Sequence, residues 1–93
     1  MVIGVVTLEI HLPYADSLKD KRQVLRKVKD RLRAKFNVAI AELDHQELWQ
    51  RATLGVVTLS NKQQNLEQVL QAVMTESQKI LGGDLVSSSV EFL

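Results

Sequence analysis

The sequence predicts a two-layer α+β sandwich in the order β-α-β-β-α-β, with two helices on one face of a four-stranded antiparallel sheet. Three observations carry this. Two stretches place apolar residues every three or four positions, the period of a helix with one buried side. Four shorter stretches are rich in β-branched residues and partly alternate apolar with polar, the period of a strand. Right-handed crossovers between these elements put both helices on the same side and strands one and three in the middle. The chain has 93 residues, enough for one domain spanning 1–93 and too few for two.

The first strand runs from Val2 to Leu12, where Val6, Leu8, Ile10 and Leu12 alternate with Thr7, Glu9 and His11. Pro13 ends it, because proline has no N–H to give a ladder. Ser17 is the predicted N-cap of the first helix, with Asp20 three residues later in the position of a capping box. Leu18, Leu25, Val28 and Leu32 fall within an arc of roughly 80° at about 100° per residue, and this side should face the sheet. Lys21 lies inside the same arc. It is expected to bury its stem and keep its ammonium in water. Phe36 to Leu43 is the second strand, Asp44 to Trp49 a polar connection, and Ala52 to Leu59 the third strand. Ser60 is the predicted start of the second helix, with Gln63 in the capping-box position and Leu66, Val69, Leu70, Val73, Met74, Ile80 and Leu81 on its apolar side. Gly82-Gly83 stops it, since glycine takes the left-handed conformation freely. Val86, Val90 and Phe92 alternate with serines and Glu91 in the last strand. This succession defines the ferredoxin-like sandwich.

Composition removes several functions. Hydrophobic residues make up 45% of the chain, so a core forms without staples. The absence of cysteine excludes disulfides, thiol nucleophiles and cysteine-ligated metal centres, and fits a reducing compartment. Met1-Val2-Ile3-Gly4-Val5-Val6 lacks a positive n-region, and polar Thr7 and Glu9 follow at once, so it reads as a strand rather than a signal peptide. No apolar run approaches the roughly 20 residues needed to span a bilayer. The expectation is a cytoplasmic protein with no membrane partner.

The net charge of +1 hides a strongly polar distribution. Between Asp16 and Lys35 nine Lys/Arg face three Asp, a local balance of +6; the remainder carries three bases and eight acids, which is −5. Lys19, Arg22, Arg26, Lys29 and Arg33 step by three and four, so they form one stripe beside the apolar side of the first helix. Such a stripe can track a phosphate backbone or can be a solvated face whose long side chains shield the sheet. At the start of that helix, Lys19, Lys21 and Arg22 join the free backbone N–H groups in an arrangement suited to a phosphate, unless Ser17 and Asp20 satisfy those groups themselves. No glycine-rich loop precedes it, so a nucleotide cradle is not supported.

Other clusters carry less. Glu42, Asp44, His45 and Glu47, with His11 near, supply oxygen and nitrogen ligands but match no ligand spacing, so a solvated turn is expected and no metal site. Trp49, the single Trp, is expected to close one end of the core, the alternative being a stacking or interface anchor. Strands one and three offer no aromatic pair on the second face of the sheet, which argues against base stacking there. Ile3 and Val5 on that face suit a partner or a second copy. No nucleophile elbow or paired catalytic spacing exists, and no cofactor, small-molecule substrate or catalytic residue is expected.

Three segments, Ser17-Leu18-Lys19-Asp20-Lys21-Arg22, Phe36-Asn37-Val38-Ala39-Ile40-Ala41-Glu42 and Trp49-Gln50-Arg51-Ala52, resemble the signature of the YlxP-like proteins, a family of small bacterial proteins classed as a domain of unknown function. The resemblance spans essentially the whole chain. It implies a ferredoxin-like fold, no established activity or catalytic residues, and genes lying among those for transcription termination, translation initiation and ribosome maturation. Residues and resemblance together lead to the expectation of a non-enzymatic accessory protein that binds ribosomal RNA or a ribonucleoprotein through Lys19, Lys21, Arg22, Arg26, Lys29 and Arg33. The alternative is a homo-oligomeric interaction or regulatory module using the open sheet face. A homo-oligomer is expected in either case.

Overall fold

Alternation in the first strand decides how the layers meet. In the computed structural model, which describes residues 1–93, the even-numbered side of β1 (Val2–His11) carries Val6, Leu8 and Ile10, all essentially without solvent contact. The chain continues through α1 (Leu18–Lys35), β2 (Ala39–Asp44), β3 (Arg51–Ser60), α2 (Gln63–Leu81), a single 3-10 turn (Gly82–Asp84) and β4 (Leu85–Phe92). The strands pair in the order β2-β3-β1-β4, every neighbour antiparallel. This is the predicted ferredoxin-like βαββαβ sandwich, with strands one and three central. No helix is long and apolar enough to cross a membrane.

Leu25, Val28 and Leu32 of α1 and Leu66, Leu70 and Val73 of α2 pack on the inner face of β1 and β3 in one cluster of 16 buried residues. Gly4 sits under α2. A Cβ there would lie 2.5 Å from Leu70 Cδ1 and 3.2 Å from Leu66 Cδ2, so the missing side chain lets the helix approach the strand. Because Leu25 is 2% exposed, Leu25→Asp buries an unpaired charge. It is expected to destabilise the fold by several kcal/mol, against less than about 0.5 kcal/mol for Arg26→Ala on the exposed side. Equal losses in urea melts of the two variants would refute this orientation of α1.

Most element ends fall within a residue of expectation, and two differ in kind. β2 begins at Ala39 rather than Phe36, because Phe36 caps α1: its N–H donates to Leu32 O at 2.8 Å, and Val38 N–H donates back to Phe36 O at 3.1 Å. Ser60 is the last residue of β3, not the cap of α2; its Oγ accepts from Lys62 N–H at 3.2 Å, and the cap position is held by Lys62 without a side-chain bond. Gly82 ends α2 at φ 55°, as its glycine allows.

Tyr14, in the β1–α1 loop, donates its hydroxyl to Asp84 Oδ2 at 2.9 Å and ties that loop to the turn before β4. Loss of solvent around the hydroxyl, then the bond to the carboxylate, raise the Tyr14 pKa above the usual value. The tie is therefore complete below the ordinary tyrosine range and is lost as pH rises through the elevated value. Since Tyr14 is the only tyrosine, its ultraviolet titration should lie above that of a free tyrosine and move down in Asp84→Asn. Identical titrations would show that the contact does not persist in solution.

Candidate nucleic-acid interface

The stripe on α1 exists because the helix has a second periodicity beside its apolar one. Lys19, Arg22, Arg26, Lys29 and Arg33 occupy the flank next to β2, and none of them makes an ion pair within the chain. Lys29 is half-buried along its stem and the other four are exposed. Arg33 donates to the Ile40 carbonyl of edge strand β2 over a long 3.4 Å, which leaves most of its guanidinium free. Between stripe and strand runs a groove of about 370 Å³ lined by Arg22, Arg26, Lys29 and Arg33 together with Asp30 and Glu42. The opposite flank faces α2. There Lys35 donates to Glu76 at 2.9 Å, and that bond holds the Glu76 carboxyl below the usual carboxylate range. The fold thus separates Lys35, engaged with α2, from a row that is left unpaired.

Lys21 does not belong to that row. Its ammonium is not in water, as its place in the apolar arc led us to expect, but buried, with the residue 1% exposed. It donates to Glu42 Oε2 at 2.9 Å and to the carbonyls of His45, Gln46 and Arg51 at 2.8, 3.2 and 3.3 Å. With every N–H committed, Lys21 has nothing to offer an external anion, and we remove it from the anion-binding set. The physical reason is the facing carboxylate. Glu42 shares the inner side of β2 with Ile40, so the ammonium meets a counter-charge and carbonyls before it reaches solvent, which offsets its desolvation.

The start of α1 is likewise occupied. Ser17 Oγ accepts from Asp20 N–H at 3.1 Å, Asp20 Oδ2 accepts from Asp16 N–H at 2.9 Å, and Lys21 N–H donates to Ser17 O at 3.3 Å. The cap forms as predicted, although the carboxylate reaches one residue further back than in a standard capping box. A phosphate at this terminus would have to displace these bonds, and Lys21 points away from it.

The acid-rich turn between β2 and β3 is shaped by the same lysine. Glu42 turns inward to Lys21, Asp44 Oδ1 accepts from His45 N–H at 2.7 Å, and no three His, Asp or Glu side chains converge. His45 adopts φ 64°, and its carbonyl accepts both Lys21 Nζ and Leu48 N–H. Trp49 does not close the core. It stands 53% exposed beside a hollow it shares with His11 and Arg51, while neighbouring Gln50 ties the turn to the β1–α1 loop, donating to the carbonyls of Pro13 and Ala15 at 3.2 Å each. Gln50 is the tie that sequence reasoning missed, and a lone Gln carries no periodic signal. The Lys21–Glu42 pair was also missed. It had a signal: two opposite charges on the inward sides of adjoining elements.

The model of the family described as "Protein of unknown function (DUF503)" matches residues 3–89. The chain belongs to this family. Within it, the "Uncharacterized protein YlxP" of Bacillus subtilis (strain 168) is 38% identical over 73 residues, covering 78% of this chain and 79% of that protein. The resemblance drawn from the three sequence segments is thereby confirmed. Those segments meet at one place: Lys21 comes from the first, Glu42 from the second and the Arg51 carbonyl from the third. Among solved structures, the de novo designed protein Foldit4 superposes with a TM-score of 0.57 at 8% identity, covering 99% of this chain and 94% of that one. The de novo designed LFR1 1, with a ferredoxin fold, gives 0.54 at 10% identity over 100% and 83% of the two chains. A dimeric ferredoxin-like protein of unknown function from Thermobifida fusca gives 0.52 at 12% identity over 98% and 90%. Likeness at such identities shows the fold of the DUF503 chain alone.

Proposed function

We propose that this DUF503 protein is a non-enzymatic cytoplasmic accessory protein that contacts ribosomal RNA or a ribonucleoprotein through phosphates laid along α1. The observation that carries the reading is the row Lys19, Arg22, Arg26, Lys29 and Arg33, aligned on one flank and without ion partners in the chain. At about 1.5 Å per residue the row is roughly 21 Å long, enough for several phosphates of one strand. Its groove contains four bases against two carboxylates, Asp30 and Glu42, and Lys21 already holds the second. The outer side of β1 and β3 presents Thr7, Glu9, Thr53 and Gly55 rather than aromatics, so affinity would come from charge and not from bases stacked on the strands. The choice of ribosomal RNA rests on the genomic setting that the family resemblance implies, which is association and not mechanism. Anisotropy titrations with ribosomal RNA fragments and with unrelated RNA should give salt-sensitive binding that tolerates sequence. No binding to any RNA or to ribosomes at low salt, where electrostatic attraction is strongest, would end the reading.

A further inference from the structure

The end of the sheet where β1 leads into α1 carries an aromatic residue that the core does not use. Trp49 is exposed there and lines a hollow of about 530 Å³, within the roughly 300–1,000 Å³ of small-ligand sites. The hollow is mostly polar. His11, Glu47, Gln50 and Arg51 line it, and Leu48 is its only apolar residue besides Trp49. His11 and Arg51 sit opposite each other on β1 and β3, and neither makes an ion pair within the chain. An unstacked nucleobase needs a flat ring for its face and hydrogen-bonding groups for its edge, and this hollow offers both.

The lysine cage fixes this hollow against the basic row. Lys21 stands between Lys19 and Arg22 and donates to the carbonyls of His45, Gln46 and Arg51, on either side of Trp49 along the chain. Gln50 adds two bonds to the β1–α1 loop. The Arg51 carbonyl lies 3.3 Å from Lys21 Nζ, and Trp49 is two residues from Arg51, about 7 Å of extended chain. The turn that bears the ring is therefore ordered beforehand beside the start of the row, which spares a ligand the cost of ordering it.

We propose that Trp49, with Arg51 and His11, is a stacking site for one unpaired base of an RNA whose phosphates lie along α1. This inference rests on the RNA reading of the stripe and narrows it to single-stranded RNA: a loop, a bulge or an end. Charges alone do not separate a strand from a duplex, because both present phosphates. A ring does, since a paired base keeps its faces inside its own stack. The phosphates supply most of the affinity, and the single ring at the end of the row adds selection for an unpaired base. A protein surface suits the hollow less well. The cores of protein interfaces are depleted of charged residues, whereas this hollow holds Glu47 and Arg51 as well as His11.

Trp49 is the only tryptophan, so its fluorescence reports on the site directly. Titrations at low salt with an unstructured oligoribonucleotide, a duplex RNA of the same length and inorganic polyphosphate separate stacking from charge. The single strand should quench Trp49 over the same concentrations at which anisotropy shows binding, and the duplex and polyphosphate should not. Trp49→Ala should weaken single-strand binding about fivefold or more, the lower end of aromatic–base stacking, and leave duplex binding, the salt slope and the melting curve unchanged. Trp49→Phe, which keeps a ring, should restore most of the loss. Single-strand binding with unchanged fluorescence, or with unchanged affinity in Trp49→Ala, overturns this inference and leaves the charge reading standing. Equal quenching by polyphosphate overturns it too, since the ring would then sense charge and not a base. No RNA binding at all removes both readings. Quenching that persists when Arg22, Arg26 and Lys29 are reversed would detach the ring from the row and overturn the link proposed between them.

Discussion

Lys21→Met is expected to destabilise the domain by about 3–5 kcal/mol, the usual cost of removing one partner from a buried, hydrogen-bonded charge pair. Methionine keeps the stem and its packing but not the ammonium. Glu42 is left facing a low-dielectric pocket, and the carbonyls of His45, Gln46 and Arg51 lose their shared donor. The Glu42 side chain is 20% exposed, so some water can reach it and the loss should fall toward the lower figure. Against a typical total of about 5–15 kcal/mol this is a large fraction. Lys21→Arg should also destabilise, since a planar guanidinium does not fit a cage built around a compact ammonium. Lys19→Arg, on the exposed flank, should not. Urea melts measure the loss. Hydrogen exchange should localise it, because the Leu48 N–H, which donates to the same His45 carbonyl at 3.0 Å, should exchange faster. A change in Lys21→Met within about 0.5 kcal/mol of the parent, the range of neutral surface substitutions, would show that the cage does not hold the turn.

Reversal of Arg22, Arg26 and Lys29 to Glu together is expected to abolish RNA binding while leaving the melting curve nearly intact. All three side chains lie on the unpaired flank of α1 and hold nothing else in place. Each phosphate contact should contribute about 0.7–0.9 to the slope of log affinity against log salt, so three to five contacts from the stripe predict a slope of roughly −2 to −4 for the unaltered protein. Lys21 no longer counts among them, which makes five the ceiling. Reversing Lys62 or Lys79 on α2 should matter little. Binding that survives the triple reversal would place the RNA elsewhere, most plainly on the sheet, and would remove the stripe from any role in recognition.

The segments by which the chain is recognised as a DUF503 member are better explained by Lys21 than by a reaction. One supplies the lysine, one its carboxylate and one a carbonyl of its cage, so the signature describes how α1 locks the β2–β3 turn. The same lock explains the exposure of Trp49. With the turn pinned from inside by Lys21 and tied to the β1–α1 loop by Gln50, the tryptophan is held outside the core.

Periods of two and of three to four residues determined the element order, the inward sides of β1, α1 and α2, and the row of bases on α1, because those properties depend on positions close along the chain. Ser17 could be read as a cap for the same reason: its partner, Asp20, is three residues away. The tertiary structure alone decided the fate of Lys21, whose acceptors lie 21 to 30 residues distant. It also decided that Lys35 belongs to α2 through Glu76, 41 residues on, and that Trp49 stands beside a hollow. Whether a charge inside an apolar arc reaches water or a counter-charge depends on which residues of another element face it. That is settled only when β2 folds back beside α1.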